Sequence, residues 1–412
     1  MTQQSPEAVL HAVLSSESID TSDLDRADIN QSVKRVAILT EAFLPKVDGV
    51  SRTALLTIKY LESTGREVIV FAPAPAPHQI SSTPIYPIPS LWLPFYTETR
   101  VAPPWPLLIA RLRAFQPDVI HLFSPFGLGM MGMIAGDILK VPVVATYQTD
   151  LPAYTDSYGY GYLRSTFIRL LRYIHNGCTL TLAPSNATLN ELKQWRFQRL
   201  RLWERGVDTK RFTPARRNAI WRTRLLAGRD PSRLLVLYVG RMAKEKHLET
   251  LREIATDPSL ALTLIGGGNY LADIQQVLAA TDAHFTGYLV GDDLANAFAA
   301  ADVFVFPGPA ETFGQVVLEA LASGLPAIVT DRGGPATIVK NGQTGFICAV
   351  DDSAAFADRV RTLRNNPELR AQMAHQARQA AEQRPWLSIM RQLEGYYAEA
   401  TALHTRLMRT RR

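Results

Sequence analysis

The sequence has little cysteine and no long uninterrupted run of apolar residues. Of its 412 residues, two are cysteines, Cys178 and Cys348, which excludes a disulfide-stabilised scaffold and argues against a zinc site built from cysteine alone. The longest apolar stretch, residues 122–145, is interrupted by Asp137 and Lys140, so no membrane-spanning helix of about 20 apolar residues is expected. The first thirty residues lack a basic start followed by an apolar block, so no signal peptide is expected. These absences predict a cytoplasmic protein.

The overall composition is that of a folded protein. Apolar residues make up 47% and charged residues 20% of the chain, which excludes general disorder, collagen and a coiled coil. At roughly 100–200 residues per domain, the length allows two or three domains. The strand pattern described below favours two.

Charge is unevenly distributed along the chain. The net charge is +6, but residues 1–31 carry six acidic residues against one basic residue. Residues 191–224 carry eleven basic residues against three acidic ones. A basic body attracts phosphorylated small molecules, anionic lipid or nucleic acid. The alternative is a solvated surface without a specific partner.

Short buried strands alternate with helical patterns in two successive series, which predicts two doubly wound α/β domains with parallel sheets. The predicted strands are residues 36–39, 68–71, 119–123, 141–147 and 179–183 in the first series, and 234–239, 262–265, 303–306 and 327–330 in the second. Ser51 is expected to cap the first helix. The predicted divisions are a flexible acidic leader at 1–33, an acceptor domain at 34–204, an irregular linker at 205–232, a donor domain at 233–384, and a helix with a basic tail at 385–412.

Ligands of such folds bind at the carboxyl ends of the strands, and two clusters in the second series follow strands. Gly240-Arg241 comes directly after strand 234–239, with Lys246 at the start of the next helical segment. Two cations beside a helix amino terminus are suited to a diphosphate, although exposed bases without a ligand are the alternative. The glycine triplet 266–268 lacks the third glycine of a dinucleotide motif and is interpreted as a turn.

A third cluster contains two glutamates. Glu311 follows strand 303–306, and Glu319 lies further along the helix predicted to begin near Gly314. Eight residues apart on a helix correspond to about 12 Å, so the two carboxylates cannot share one proton. They could instead hold two ends of an elongated polyhydroxyl ligand, because a carboxylate accepts hydrogen bonds from neighbouring hydroxyls.

Taken together and in this order, these motifs are similar to those of the retaining glycosyltransferases of family four, and the resemblance covers residues 35–383. Members of that family have the GT-B fold, in which two Rossmann-like doubly wound domains face a central cleft. The lipid-directed members, such as sulfoquinovosyltransferases and bacterial lipid mannosyl- or glucosyltransferases, are the most similar in stretches 43–50 and 203–208. The resemblance implies donor-binding roles for Gly49, Gln148, Gly240, Arg241, Lys246, Glu311, Phe313, Gly314 and Glu319. Catalytic roles are implied for Arg241, Lys246 and Glu311.

Within that resemblance, Arg241 and Lys246 hold the diphosphate, Glu319 binds the ribose, and Glu311 contacts the sugar. Phe313 and Gly314 offer backbone amides, and Gly49 admits the phosphate. Two departures stand out. The Lys-Gly pair of the family is Lys246-His247 here, which alters a turn. The Tyr-His-Thr segment of many members is Tyr147-Gln148-Thr149-Asp150 here. We therefore expect Gln148 to orient a sugar hydroxyl, and Asp150 to be either a catalytic base or a helix cap.

The sequence therefore predicts a metal-independent, retaining hexosyltransferase. Its co-substrate would be a UDP- or GDP-sugar, with no separate cofactor and no nucleic-acid partner, and its acceptor a lipid such as diacylglycerol or a glycolipid. Residues 162–174 form a basic amphipathic pattern that would place the enzyme peripherally on the inner face of the membrane, unless its apolar side packs on the protein core. A nucleotide-sugar epimerase and a non-catalytic nucleotide-sugar-binding protein are the alternatives. His121 is expected to be a packed strand residue.

Overall fold

The computed structural model describes residues 19–20, 32–45, 48–93, 96–103, 105 and 107–410. Most of the predicted acidic leader lies outside these residues. The chain forms two compact units, the N-terminal unit (Gln4–Glu204 with Trp386–Arg412) and the C-terminal unit, whose main segment is Arg205–Pro385. The last helix therefore returns to the N-terminal unit, which the sequence left undecided.

The N-terminal unit is built on an eight-stranded sheet. Its strands are β1 (Arg35–Thr40), β2 (Glu67–Pro73), β3 (Gln79–Ile80), β4 (Thr83–Ile88), β7 (Val119–Phe123), β8 (Val143–Thr146), β9 (Leu180–Ala183) and β10 (Leu200–Leu202), and β5 (Leu91–Leu93) pairs separately with β6 (Tyr96–Val101). The order is β10-β9-β8-β7-β1-β2-β4-β3, with the pairs parallel except β3 with β4. The order reverses at β1, which lies between β7 and β2.

Helices cover this sheet and meet it through buried apolar side chains. They are α1 (Gly49–Ser63), α2 (Leu107–Phe115), α3 (Gly127–Leu139), α4 (Leu151–Ser157), α5 (Arg164–Gly177), α6 (Asn186–Gln194) and the last helix, α15 (Trp386–Thr410). His121 is fully buried, and its Nδ1 lies 2.7 Å from the Tyr397 hydroxyl of α15. The prediction that His121 is a packed strand residue is confirmed.

The C-terminal unit has a six-stranded, wholly parallel sheet. Its strands are β11 (Leu234–Val239), β12 (Leu260–Ile265), β13 (His284–Gly287), β14 (Val303–Phe306), β15 (Ala327–Thr330) and β16 (Gly345–Cys348), in the order β13-β12-β11-β14-β15-β16. Its helices are α7 (Ala219–Leu226), α8 (Arg252–Thr256), α9 (Leu271–Val277), α10 (Gly291–Ala300), α11 (Gln315–Ala322), α12 (Pro335–Ile338), α13 (Ser353–Asn365) and α14 (Pro367–Glu382). Here the order reverses at β11, between β12 and β14, which is where α/β sheets open a crevice for ligands.

Two local predictions were wrong. The cap of α1 is Asp48 rather than Ser51, because Asp48 Oδ1 accepts the Val50 and Ser51 amides at 3.0 and 2.9 Å. Ser51 completes a reciprocal capping box by accepting the Asp48 amide at 2.9 Å. The segment 205–232 is not an irregular linker, since it contains α7 and buries Phe212 and Trp221 in the core of the C-terminal unit.

About half of the basic residues in the stretch 191–224 contact acidic or aromatic side chains of the protein itself. Five of the eleven basic residues in 191–224 are ion-paired with carboxylates: Arg201 with Glu399, Arg211 and Arg216 with Asp292, and Arg217 and Arg222 with Asp302. Arg224 lies over the Trp221 ring, 4.4 Å from its centroid. These guanidinium groups therefore contribute less to attracting an anionic surface than their number in the sequence implies.

Candidate functional site

Arg241 and Lys246, the two basic residues predicted to bind the diphosphate, lie at the point where the strand order of the C-terminal sheet reverses. Gly240 and Arg241 follow β11, and the loop that carries Glu311 follows its neighbour β14. The Lys246 ammonium is ion-paired with the Glu311 carboxylate, and the Arg241 guanidinium is ion-paired with Glu245. The structure thus brings Arg241, Lys246 and Glu311 together, although 65 residues separate Lys246 from Glu311.

The lysine environment combines burial with negative charge. Its side chain is 6% exposed, and its Nζ lies 5.8 Å from the centroid of the Phe306 ring. A buried ammonium requires a nearby anion, because desolvation otherwise disfavours the charged form. The Lys246 position is therefore built for a negatively charged partner, which is Glu311 here.

The glycine triplet has a packing role that the sequence did not reveal. A Cβ on Gly266 would lie 2.0 Å from the Gly240 carbonyl oxygen, and a Cβ on Gly268 would lie 2.3 Å from the Met242 carbonyl oxygen. The Met242 amide donates to the Gly267 carbonyl at 2.8 Å, joining the loops after β11 and β12. The absent side chains let one loop support the loop that carries Arg241.

A second glycine pair supports the loop that carries Glu311, and sequence reasoning missed it. The Gly334 amide donates to the Glu311 carbonyl at 2.6 Å. A Cβ on Gly334 would lie 2.3 Å from the Phe313 Cα, and one on Gly333 would lie 2.7 Å from the Glu311 carbonyl oxygen. The adjacent glycines in the loop after β15 were the available signal for this close approach.

The remaining predicted residues of this loop begin the next helix. Gly314 has φ +96°, a left-handed conformation that favours glycine, and precedes α11. Phe313 is buried in the core, and Glu319 is buried on α11 with 1% of its surface exposed. Glu319 is thus a buried carboxylate rather than an ordinary exposed helix glutamate.

Gly49 and Gln148 belong to the N-terminal unit. Gly49 is the first residue of α1 and follows the loop after β1. Gln148 follows β8, and its Nε2 donates to the Thr146 Oγ1 at 3.0 Å. Gln148 also lines a cavity of about 10 Å³, with Tyr147 and His175 among the other lining residues. This volume is about enough for one water molecule.

Asp150 caps a helix, which was one of its two interpretations. Its Oδ1 accepts the Ala153 amide at 3.0 Å at the start of α4. Burial raises the pKa of Asp150 above its usual value, against the opposing effect of that amide and of the Arg164 guanidinium. Burial also raises the pKa of Glu191 to about 7, and the Asp150 charge adds to this rise.

Glu41 is a further buried carboxylate that the sequence analysis did not single out. It follows β1, and its Oε1 accepts the Phe126 and Gly129 amides at 2.9 and 2.8 Å at the start of α3. Its Oε2 is buried without a hydrogen-bond partner in the structure. Burial raises the pKa of Glu41 to about 7, although the amides of α3 oppose this rise.

Among the residues that the structure describes, no helix is both long enough and apolar enough to cross a membrane. No group of three or more His, Cys, Asp or Glu residues in the described ranges is arranged to hold a metal ion. The metal independence of the reaction stays a prediction.

Known proteins are similar to this chain along most of its length. Residues 226–380 match the family described as glycosyl transferases group 1, and residues 47–211 match glycosyltransferase family 4. The GDP-mannose-dependent alpha-mannosyltransferase of Mycobacterium tuberculosis is 37% identical over 88% of this chain and 96% of its own. The sulfoquinovosyl transferase SQD2 of Arabidopsis thaliana is 34% identical over 89% of this chain and 74% of its own.

Solved structures show the same fold. HepE of Anabaena, in complex with UDP and glucose, has a TM-score of 0.72 at 18% identity, over 89% of this chain and 99% of its own. Sucrose-phosphate synthase of Thermosynechococcus elongatus has a TM-score of 0.73 at 21% identity, over 90% of this chain and 99% of its own. The predicted GT-B fold is confirmed. Since two family matches and relatives above 30% identity cover most of its length, the chain belongs to the family-four glycosyltransferases.

Proposed function

We propose that this protein is a retaining hexosyltransferase that moves a hexose from a nucleoside diphosphate sugar to a hydroxyl of a lipid acceptor. The observation that carries the proposal is the pair of cations, Arg241 and Lys246, at the reversal point of the C-terminal sheet beside Glu311. We assign the donor to the C-terminal unit and the acceptor to the N-terminal unit. Glu319 would hold the ribose, and Gly49, Phe313 and Gly314 would offer backbone groups.

The chemical difficulty of this reaction is the departure of the nucleoside diphosphate. Fixed positive charge stabilises the negative charge that develops on the leaving oxygen, and Arg241 and Lys246 provide it. The support for Lys246 is its burial, because a charge in a poorly solvated site interacts more strongly than one in water. The departing phosphate can then take the acceptor proton on the same face of the sugar, which retains the anomeric configuration.

The names of the relatives guide the choice of donor. The mannosyltransferases of Mycobacterium tuberculosis and Mycolicibacterium smegmatis are both described as GDP-mannose-dependent, and the second is 41% identical over 77% of this chain. We therefore propose GDP-mannose as the first donor to test, with UDP-sugars next. A lipid acceptor is supported by the similarity to a sulfoquinovosyl transferase and to an alpha-monoglucosyldiacylglycerol synthase.

The test is an assay of the full chain with radiolabelled GDP- and UDP-sugars and total membrane lipid. Transfer of label to lipid supports the proposal. An epimerised donor would instead identify the nucleotide-sugar epimerase considered from the sequence, and binding without turnover would identify a non-catalytic binding protein. Either of these outcomes would contradict the proposed transfer.

A pair of variants tests the proton route. Gln148→Ala should cost roughly 1–3 kcal/mol of transition-state stabilisation through one lost hydrogen bond, with the pH profile of kcat/KM unshifted. Asp150→Asn should keep most of the activity, because asparagine also caps helices. Complete loss of activity in Asp150→Asn with donor binding intact would make Asp150 the catalytic base and contradict the same-face mechanism.

We further propose that the N-terminal unit contacts the membrane peripherally. Leu171 and Ile174 of α5 are buried, so part of the predicted apolar face packs on the protein. Exposed apolar side chains nevertheless occur on three adjoining helices: Leu107 on α2, Ile134 and Ile138 on α3, and Tyr173 on α5. Exposed Arg113 and Arg169 add positive charge to these helices. Such a surface suits the interface of an anionic bilayer.

Vesicle sedimentation checks this contact. The wild type should bind vesicles with anionic lipid more than neutral vesicles, and salt should weaken the binding. Ile134→Asp combined with Ile138→Asp should reduce it severalfold, because both side chains leave water on docking. Ile220→Asp, at an exposed isoleucine of the C-terminal unit, is the matched control. Equal and negligible binding of the wild type to both vesicles would contradict membrane contact.

A further inference from the structure

The two cations of the candidate site are both ion-paired, but their carboxylate partners differ in burial. Glu245 has no exposed side-chain surface, whereas the Glu311 side chain is 26% exposed. Glu311 also lies outside regular secondary structure, in the segment between β14 and α11. The Arg241–Glu245 pair is therefore a fixed part of the fold, and the Lys246–Glu311 pair lies where a ligand can reach it.

A diphosphate that reaches Lys246 meets a carboxylate already beside the ammonium. Geometry alone does not exclude both anions, because a lysine ammonium has three hydrogens to donate. Charge does oppose them, since a phosphate oxygen and the Glu311 carboxylate on one ammonium would stand only a few ångströms apart. In a partly buried site this like-charge repulsion is stronger than in water.

We infer that Glu311 opposes the binding of a bare nucleoside diphosphate at Lys246, and that the hexose of the donor removes this opposition, so that the site prefers the sugar-loaded donor to the nucleoside diphosphate product. The inference rests on the proposed function. Sugar hydroxyls donate hydrogen bonds to the Glu311 carboxylate and replace the ammonium as its partner. Lys246 then pairs with the diphosphate alone.

This exchange of partners at Glu311, between the Lys246 ammonium and the sugar hydroxyls, also assists product release. When the hexose has left, Glu311 loses the hydroxyls that stabilised it next to the diphosphate. Lys246 is the ion-pair partner of Glu311 in the structure, and re-forming that pair displaces the phosphate. Glu311 therefore acts as a specificity-determining residue that discriminates substrate from product, in addition to contacting the sugar.

Calorimetric binding of GDP, UDP and GDP-mannose to the full-length protein tests the exchange. Glu311→Gln should bind the preferred nucleoside diphosphate at least about fivefold more tightly than the wild type, in the range typical of coupled sites. The sugar nucleotide should gain less, so the preference for it over the nucleoside diphosphate should fall. Glu311→Asp keeps the charge and should restore weak binding of the nucleoside diphosphate.

Two further measurements separate the possible failures. Glu249→Gln removes a carboxylate of the same unit that accepts from the Tyr270 hydroxyl and should leave the affinities unchanged. Suppose that the wild type binds the nucleoside diphosphate and that Glu311→Gln binds it no more tightly. The proposed exchange of partners at Glu311 would then be wrong, and the proposed function would stand. If the folded wild type bound neither GDP, UDP nor GDP-mannose, the proposed function would fail and the exchange with it.

Discussion

Lys246→Ala should lower kcat by about 10²–10³-fold, the usual cost of removing one preorganised group that stabilises developing charge. The affinity for the donor should fall less, because the ammonium interacts most strongly with the leaving oxygen after the sugar bond has begun to break. Steady-state kinetics with the identified donor, together with direct binding of that donor, separate the two effects.

Lys244→Ala is the matched control for this variant. Lys244 carries the same charge two residues away, but its side chain is exposed. Its removal should change kcat less than twofold, since an exposed charge is screened by water and salt. If a correctly folded Lys246→Ala kept wild-type kinetics, the diphosphate site would be assigned to the wrong residues.

Glu319→Ala should weaken donor binding more than it slows the chemical step.

Glu41→Gln should make the stability of the N-terminal unit less dependent on pH. The Glu41 pKa is raised from 4.5 to about 7 by burial. A carboxyl group with a raised folded-state pKa stays protonated in the folded protein while it ionises in the unfolded chain. Ionisation therefore destabilises the fold increasingly as the pH rises from 4.5 to 7, and the loss is complete above that range. At about 1.4 kcal/mol per pKa unit, the full penalty is roughly 3 kcal/mol.

Thermal unfolding of both proteins between pH 5 and pH 9 measures this effect. The Tm of Glu41→Gln minus that of the wild type should increase from pH 5 to about pH 7 and then stay level, because the variant has no group to ionise. The glutamine also places a buried amide hydrogen without a partner, which costs about 1–3 kcal/mol at every pH. The test is therefore how the difference in Tm changes with pH, and not whether the variant is more or less stable than the wild type. Glu67→Gln, at an exposed glutamate of the same unit, controls for the loss of charge. A difference in Tm that is constant across this range would contradict the raised pKa.

The alternation of strands and helices was predictable because it depends on short-range patterns. The strands β7, β11, β14 and β15 have the predicted bounds, since each is a buried apolar run ended by turn residues. The edge strands β3, β10, β13 and β16 were missed, because two to four residues at a sheet edge carry little pattern. The strands β4, β5 and β6 were missed as well. The helix cap was misplaced by three residues because Asp48 and Ser51 are both capping residues by type.

The segment 205–232 shows where composition misleads. Its arginines, glycines and prolines resemble a linker, but the aspartates that pair with those arginines lie far along the chain. Arg217 and Asp302, for example, are 85 residues apart and meet at 2.6 Å. Pairing over such a distance depends on which strands are neighbours, which local composition does not encode.

The sequence by itself determined the fold class and the identity of the candidate site residues. The fold class follows from local periodicity, whereas the candidate site residues follow from the family resemblance carried by Arg241, Lys246, Glu311 and Glu319 in this order along the chain. Only the tertiary structure decided that Lys246 pairs with Glu311, that Glu245 holds Arg241, and that two glycine loops support both. The physical reason is the strand order of the C-terminal sheet, which places β11 between β12 and β14 and so brings the loops after these three strands to the same sheet edge.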